Sequence, residues 1–284
     1  MENKNILDDL LAVKNDLPKK QKAVCDYIIE NYQELSVLSL TELAKRSGVG
    51  QTTVMRLIHH VGYDSYREFK KQFHYYTIES TQPTWWQLEK SFTQVDTEHG
   101  ALNQTWNEVM NLLDSSMTQQ LVDHFEQATD LIIDSDIVNI IGFRTSKVSA
   151  YYFEYMLSEF YPKVKQLSAD SEFIYDRLLH VGENDVVVII ALSPYTKGTI
   201  EAAKYCHEKG LPIILITDHL SNPISTYARV ILPVQSSDAQ YSIVPAITLI
   251  EALVIEIGQR MSGQSVKHLN QLNKLLTEKD ITTT

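Results

Sequence analysis

Hydrophobic residues in the first part of the chain recur at helical spacing, and glycines divide the periodic runs. Leu40 and Leu43 fall on one face of a helix that should stop at Gly48. A second periodic run covers residues 51–61 and is followed by another glycine. Because two helices joined by a short glycine-containing turn form a helix-turn-helix, the pattern predicts an all-α domain over residues 1–77.

The pattern weakens in residues 78–104, where polar residues are mixed with one proline and one glycine. We predict a linker that contains a short amphipathic piece. Trp85 and Trp86 stand in this segment, and either pack against a neighbouring domain or subunit or hold a ligand. Helical spacing resumes at Thr105 and continues to about Asp134.

Short β-branched runs alternate with helix patterns in the rest of the chain. They cover residues 137–141, 164–167, 186–191, 213–216 and 230–232. Strands that alternate with helices predict a parallel sheet covered on both faces. We therefore expect residues 105–284 to form an α/β domain with a five-stranded parallel sheet, in which ligands bind beyond the carboxyl ends of the strands.

The helix predicted over residues 51–61 has two faces. At 100° per residue, Val54, Leu57, Ile58 and Val61 lie on the inner side. The side chains that point away from the core are those of Thr52, Met55, Arg56 and His59. Exposed arginine, threonine and histidine side chains suit the major groove of DNA, and they also occur on the solvated face of an ordinary helical bundle. The candidate DNA contacts are Gln51, Thr52, Thr53, Arg56 and His59.

Hydroxyl groups follow two of the predicted strands, each time at the start of a helix. The first loop has Arg144 where a dinucleotide-binding loop would have its second glycine. Backbone N–H groups, hydroxyls and a nearby cation could hold a phosphate there, although serine and threonine also cap helices without any ligand. The candidate effector contacts are Arg144, Ser146, Ser193, Tyr195, Thr196 and Thr199.

Charge is divided unevenly along the chain, whose formal net charge is −11. Residues 1–77 carry 11 Lys and Arg against 10 Asp and Glu, whereas residues 78–284 carry 14 against 26. The first part can present a basic face to phosphate, and the acidic second part would be repelled by DNA.

Other sequence features limit the classes of protein. The N-terminus has no signal-peptide pattern, and the longest apolar runs are strand length, so we expect a cytoplasmic chain without a membrane span. The two cysteines, Cys25 and Cys206, stand in amphipathic patterns as core residues. No Cys or His cluster offers a metal site, and no cofactor is expected.

Two ordered sets of residues resemble the RpiR/MurR-type bacterial transcription regulators, which pair a helix-turn-helix domain with a sugar isomerase (SIS) domain. The first set comprises Ser39-Leu40-Thr41-Glu42-Leu43-Ala44, Ser47-Gly48-Val49, Thr53-Val54-Met55-Arg56-Leu57 and Gly62-Tyr63. The second comprises Gly142-x-Arg144-x-Ser146, Asp185-Val186-Val187-Val188, Ser193-Pro194-Tyr195 with Thr199, Thr217-Asp218 and Asn222-Pro223.

The resemblance implies a regulator of carbohydrate metabolism that binds a double-stranded DNA operator. Its SIS domain is expected to sense a phosphorylated sugar or amino sugar and to form homodimers or homotetramers. The resemblance also implies that Ser146, Ser193 and Thr199 face the phosphate, and that Thr53 and Arg56 lie on the DNA-reading helix.

Two other classes of protein fit parts of the sequence. A sugar-phosphate isomerase with a helical extension would need a general base, for which Glu154, Glu251, Glu256, His180 and His219 are available. None of these residues stands in a distinctive motif near the two loops. A helical adaptor that binds protein would show no salt-dependent DNA binding.

Overall fold

The computed structural model describes residues 6–31, 35, 38–70, 86–93, 100–237 and 239–281. The chain divides into two compact units, Met1–Trp86 and Gln87–Thr284. Trp85 lies outside the described residues, and Trp86 begins a helix. In the described part of the chain, no helix is both long and apolar enough to cross a membrane.

The first unit is helical, as the sequence predicts. Among the described residues, its α-helices with defined bounds are α1 (Ile6–Val13), α2 (Lys19–Glu30), α3 (Leu40–Arg46) and α4 (Gln51–His60), and residues 66–70 are also helical. A capping box opens α3, because the Ser39 side chain accepts from the Glu42 N–H while the Glu42 carboxylate accepts from the Ser39 N–H. The Ser39 hydroxyl also donates to the Glu42 carboxylate, and this bond, together with the one from the Ser39 N–H, lowers the pKa of Glu42. The turn between α3 and α4 uses Gly48 at φ +68°, in the left-handed region that favours glycine.

One apolar core holds these helices together. Val54, Leu57 and Ile58 of α4 are fully buried in it, together with Leu43 of α3 and Ile28 of α2. The predicted inner face of α4 is therefore confirmed. Because α4 packs against both α2 and α3, its opposite face is held rigidly toward solvent.

The second unit is an α/β domain. Its helices are α5 (Trp86–Thr93, whose first residue closes the first unit), α6 (Gly100–Ser116), α7 (Gln119–Asp134), α8 (Ser146–Ser158), α9 (Ile174–Leu178), α10 (Lys197–Glu208), α11 (Val244–Arg260) and α12 (Ser262–Glu278). Its strands are β1 (Val138–Gly142), β2 (Val164–Gln166), β3 (Val186–Ala191), β4 (Ile213–Thr217) and β5 (Val230–Pro233). The helical pattern predicted over residues 105–134 is two helices, because Thr118 caps a new one by accepting from the Leu121 N–H.

The five strands form one parallel sheet in the order β2-β1-β3-β4-β5, which confirms the predicted fold class. Alternate residues of β3 enter two different cores. Val186, Val188 and Ile190 pack on the side of α7, α8 and α11, and Val187 and Ile189 pack on the side of α9 and α10. Because every β3 residue is buried, the sheet is covered on both faces.

Both cysteines are core residues, as the sequence predicts. Cys25 is buried among the helices of the first unit and Cys206 on one face of the sheet. Burial raises the pKa of the Cys25 thiol to about 11 and that of Cys206 to about 12. Since the thiolate is the reactive form, neither side chain is a nucleophile near neutral pH.

Candidate functional site

The outward face of α4 carries the predicted DNA-reading side chains. Thr52, Arg56 and His59 are exposed on it. The Nδ1 atom of His59 lies 3.0 Å from the Tyr63 carbonyl. Because a carbonyl only accepts, Nδ1 carries the hydrogen, and Nε2 is the ring nitrogen left to face outward.

The two other predicted DNA contacts of α4, Gln51 and Thr53, are placed differently. Gln51 is exposed, but its Nε2 donates to Thr41 Oγ1 at 3.0 Å, which ties the start of α4 to α3. Thr53 is half-buried. Met55, which the helical wheel directs away from the core, packs partly against it. The difference arises because a long unbranched side chain can fold back along the helix surface.

The loop after β1 begins with a close backbone approach. A Cβ atom on Gly142 would lie 2.5 Å from the carbonyl oxygen of Ser146 and 3.0 Å from Ala150 Cβ. The Gly142 N–H donates to Ser168 Oγ at 2.8 Å, and the Ser168 hydroxyl donates back to the Gly142 carbonyl. Glycine therefore lets α8 start directly against the end of the strand.

Arg144 takes the conformation that a glycine would favour. Its φ is +53°, in the left-handed region, and its side chain is exposed. An L-residue in that region carries a backbone cost of roughly 1–2 kcal/mol. The arginine thus makes the left-handed turn that a second glycine would make, and adds a cation to the rim of the loop.

We expect Arg144→Gly and Arg144→Ala to separate the backbone cost from the role of the side chain. Both variants lose the guanidinium, but only glycine relieves the left-handed strain, so Arg144→Gly should be the more stable by about 1 kcal/mol. Thermal unfolding of the full chain measures the difference. Equal melting temperatures for the two variants would contradict strain at this residue.

Ser146 connects the two predicted loops. Its Oγ accepts from the Leu192 N–H at 3.2 Å, and the residue is buried. The contact follows from the sheet, because β1 and β3 are neighbours with Gly142 paired to Ile190. The sequence pattern predicts two similar loops, and the strand order brings them together.

Asp218, at the carboxyl end of β4, organises the second loop. Its Oδ2 accepts from the Ser193 N–H at 2.9 Å, and its Oδ1 accepts from the Tyr195 hydroxyl at 3.0 Å. The carboxylate is almost enclosed, with 6% side-chain exposure. The sequence gives one signal for this role, which is the position of Asp218 directly after a strand.

Thr196 and Thr199 cap α10. The Thr199 N–H donates to Thr196 Oγ1 at 3.1 Å, and the two hydroxyl oxygens lie 2.7 Å apart. Thr199 is buried. These contacts are those of a helix cap, so in this structure both hydroxyls serve the start of α10.

A narrow cavity lies beside these loops. Its walls include Ser193, Asp218, Gln87 and Tyr241, and its internal volume of about 10 Å³ is room for about one water molecule. Of the six predicted effector contacts, Ser193 lines this cavity. Ser146 and Tyr195 do not line the cavity themselves, but they are hydrogen-bonded to Leu192 and Asp218, which do. Arg144, Thr196 and Thr199 do not line the cavity.

The segment between β5 and α11 forms one side of this cavity. It contains Tyr241, whose hydroxyl donates to Thr145 Oγ1 at 2.7 Å. Burial, with a further contribution from the negative charge of Asp218, raises the pKa of Tyr241, so its hydroxyl is neutral and a donor at physiological pH. Neither Tyr241 nor Gln87 stands out in the sequence, because no motif or period marks them.

The three carboxylates proposed as bases for an isomerase are hydrogen-bonded to other groups. Glu154 accepts from the Gln166 N–H, Glu251 from the Tyr152 hydroxyl, and Glu256 from Arg260. His219 is adjacent to Asp218 along the chain and lies 3.4 Å from Ser236 Oγ. His180 is exposed and lines a different pocket, at the edge of the sheet near β2.

The chain thus combines a helix-turn-helix unit, whose second helix exposes polar side chains, with a parallel α/β unit that has a cavity at the carboxyl ends of its strands. The rpiR family of helix-turn-helix domains matches residues 4–79, and the SIS domain matches residues 131–256. The chain is therefore a helix-turn-helix protein of the rpiR family that carries a SIS domain.

Known proteins align with much or nearly all of this chain. An uncharacterized HTH-type transcriptional regulator of Clostridium perfringens is 24% identical over 92% of this chain and 95% of its own. The Vibrio vulnificus NanR protein, solved in complex with ManNAc-6P, aligns over 99% of this chain and 100% of its own, with 18% identity and a TM-score of 0.58. The sugar isomerase domain of an RpiR transcription factor from Sphaerobacter thermophilus covers 61% of this chain and 98% of its own, with 19% identity and a TM-score of 0.58.

Proposed function

We propose that this protein is a cytoplasmic DNA-binding transcription regulator of carbohydrate metabolism. The observation that carries the proposal is the exposed face of α4, with Thr52, Arg56 and His59, in a domain of the rpiR family. An arginine can donate two bonds to a guanine in the major groove, and a threonine can contact a phosphate or a thymine methyl group. Residues 1–77 carry 11 Lys and Arg against 10 Asp and Glu, so their net charge does not repel the phosphates of DNA.

The second domain is proposed to sense a phosphorylated sugar or amino sugar. The helices α8 and α10 both begin at the carboxyl edge of the sheet, where their N–H groups favour an anion. Ser193 and the cation of Arg144 lie in the same two loops. The complex of NanR with ManNAc-6P supports this class of ligand for a protein of similar fold.

Within this proposal, Asp218 binds the sugar rather than the phosphate. A carboxylate repels a phosphate and accepts from hydroxyl groups, so the phosphate belongs at the helix starts and the polyhydroxylated part belongs near Asp218. Both carboxylate oxygens of Asp218 already accept one bond each, and each has capacity for a second.

A regulator explains the two domains better than an isomerase does. Isomerisation needs a general base within reach of the bound sugar. All three candidate carboxylates are bonded elsewhere, and His219 lies 3.4 Å from Ser236 of the cavity wall. The relatives matched along most of the chain are called transcriptional regulators.

Binding of the full-length protein to DNA tests the function directly. A duplex selected by the protein from a random pool should bind with an affinity that falls steeply between 50 and 200 mM salt, by about 10³-fold for roughly six phosphate contacts. A panel of hexose and N-acetylhexosamine 6-phosphates should contain a member that raises the melting temperature and changes DNA affinity. Absence of DNA binding at low salt would refute the regulator.

We also propose that two copies of the chain associate through α12. Val266 and Leu269 lie three residues apart on one face of α12 and are 55% and 43% exposed, which leaves an apolar patch in water. The same domain has an apolar groove formed by α6, α7 and α11, with Asp114 and Glu126 among its lining residues. An exposed apolar helix face and an apolar groove are complementary, so α12 of one copy suits the groove of the other.

Sedimentation should give twice the 32.5 kDa mass of one chain, or a higher multiple. Leu269→Glu should shift the protein toward the monomer, because it places a charge in the apolar contact. Gln264→Glu, an exposed change on the same helix, serves as the control. A monomeric wild type, or a Leu269→Glu variant that remains fully associated, would rule out this surface.

A further inference from the structure

The segment that closes the cavity has no regular secondary structure and is held by hydrogen bonds from several elements. We call residues 235–237 and 239–242 the strap. The Gln235 N–H donates to Ser116 Oγ of α6 at 2.8 Å, and the Ser237 hydroxyl donates to Glu108 of the same helix. At its other end, Tyr241 is bonded to Thr145, at the start of α8. The strap therefore connects the loop between β1 and α8 to α6.

Gln87 of α5 holds the strap from the opposite side. Its Nε2 donates to the Ser237 carbonyl at 3.1 Å, and the residue is 9% exposed. Gln87 also lines the cavity, together with Ser193 and Asp218. The Gln87 residue therefore contacts both the cavity and the strap.

The size of the cavity determines what must move when an effector binds. A volume of about 10 Å³ admits about one water molecule, so a sugar phosphate has to displace a wall. Ser193 and Asp218 are fixed by bonds at the ends of β3 and β4. The described residues of the strap have no ladder of backbone hydrogen bonds, so we infer that the strap is the wall that moves.

Gln87 occupies a special place along the chain. It is the first residue of the second compact unit, directly after Trp86, the last residue of the first. Any shift of the strap that breaks or strengthens the bond to Gln87 acts on α5, the helix through which the chain leaves the DNA-binding unit.

We propose that Gln87 is a positioning residue that couples effector binding in the SIS domain to DNA binding, through its bond to the Ser237 carbonyl. This inference rests on the proposed function, because it presupposes both a DNA site and an effector.

The experiment uses full-length wild type, Gln87→Ala and Gln87→Glu, with the selected DNA duplex and the sugar 6-phosphate that most stabilises the wild type. Effector affinity is measured by titration calorimetry, and DNA affinity by fluorescence anisotropy with and without effector. We expect the effector to change wild-type DNA affinity by about tenfold or more, and to change that of either variant by about twofold or less. Effector affinity should remain measurable in all three proteins.

Gln87→Glu keeps the volume of the side chain but replaces the donor, so it separates the hydrogen bond from packing. Gln127→Ala, an exposed change on α7, should respond as the wild type does. An unchanged DNA response in both Gln87 variants would overturn the coupling role. Complete loss of effector binding in them would also overturn it, because Gln87 would then be an ordinary ligand contact.

Failure of the proposed function gives a different result. A wild type that binds DNA but responds to no member of the panel would refute phosphorylated-sugar sensing and the coupling role together. A wild type that responds normally while the Gln87 variants do too would refute the coupling role alone.

Discussion

Arg56→Ala should weaken DNA binding by the full-length protein about 10- to 100-fold while leaving effector binding intact. The side chain projects from the outward face of α4, whose inner face is fixed by Val54, Leu57 and Ile58. Loss of an arginine that makes two bonds to a guanine costs about 1–3 kcal/mol and relaxes specificity at that base pair. Anisotropy titrations with the selected duplex and with single-base variants measure both effects.

Two controls make the result specific. Arg229→Ala removes an exposed arginine from the SIS domain and should leave DNA affinity unchanged. Ser193→Ala should do the reverse of Arg56→Ala, with DNA binding retained and the effector response lost. If Arg56→Ala reduced DNA and effector binding equally, the division of labour between the two domains would be wrong.

Gly142→Ala should destabilise the SIS domain by about 3 kcal/mol, at the upper end of the usual cost of overpacking. The added Cβ would lie 2.5 Å from the Ser146 carbonyl oxygen and 2.9 Å from its carbonyl carbon. These are backbone atoms of the first turn of α8, so they cannot rotate away as a flexible side chain would. To restore contact distances, α8 or the end of β1 has to move, and with it the bond from Leu192 to Ser146.

Thermal unfolding, together with effector titration, measures the change. Gly263→Ala is the matched control, because its Cβ would meet no atom within 4 Å and it lies in α12, where alanine is the better helix former. Its melting temperature should equal or exceed that of the wild type. A Gly142→Ala protein as stable as the control would mean that α8 is not seated tightly against β1.

Short-range sequence patterns were sufficient to predict the helices, the strands and the fold class. The β-branched runs predicted all five strands, and alternation with helices predicted a parallel sheet. The period of α4 predicted its buried side, although Met55 folds back onto the core. Such predictions succeed because each depends on residues that are close together in the chain.

Parts of the candidate site could not be predicted in this way. Asp218 follows a strand as Ser193 and Arg144 do, but nothing in the sequence says that it accepts from Ser193 and Tyr195, 25 and 23 residues away. Gln87 and Ser237 are 150 residues apart. Hydrogen bonds of this kind depend on strand order and on how a loop crosses the sheet edge, and neither leaves a period in the sequence.

The loop that contains Arg144 shows the division most clearly. The sequence alone determined that a strand ends at Gly142, that a helix follows, and that hydroxyls and a cation stand at the join, since hydrophobic period and glycine position are local properties. Only the tertiary structure decided that Arg144 makes a left-handed turn and that Ser146 is bonded to Leu192. The physical reason is that the parallel pairing of β1 and β3 brings Ser146 and Leu192, 46 positions apart, within hydrogen-bonding distance. The backbone conformation of Arg144, between the strand and the helix, then depends on how α8 packs against β1.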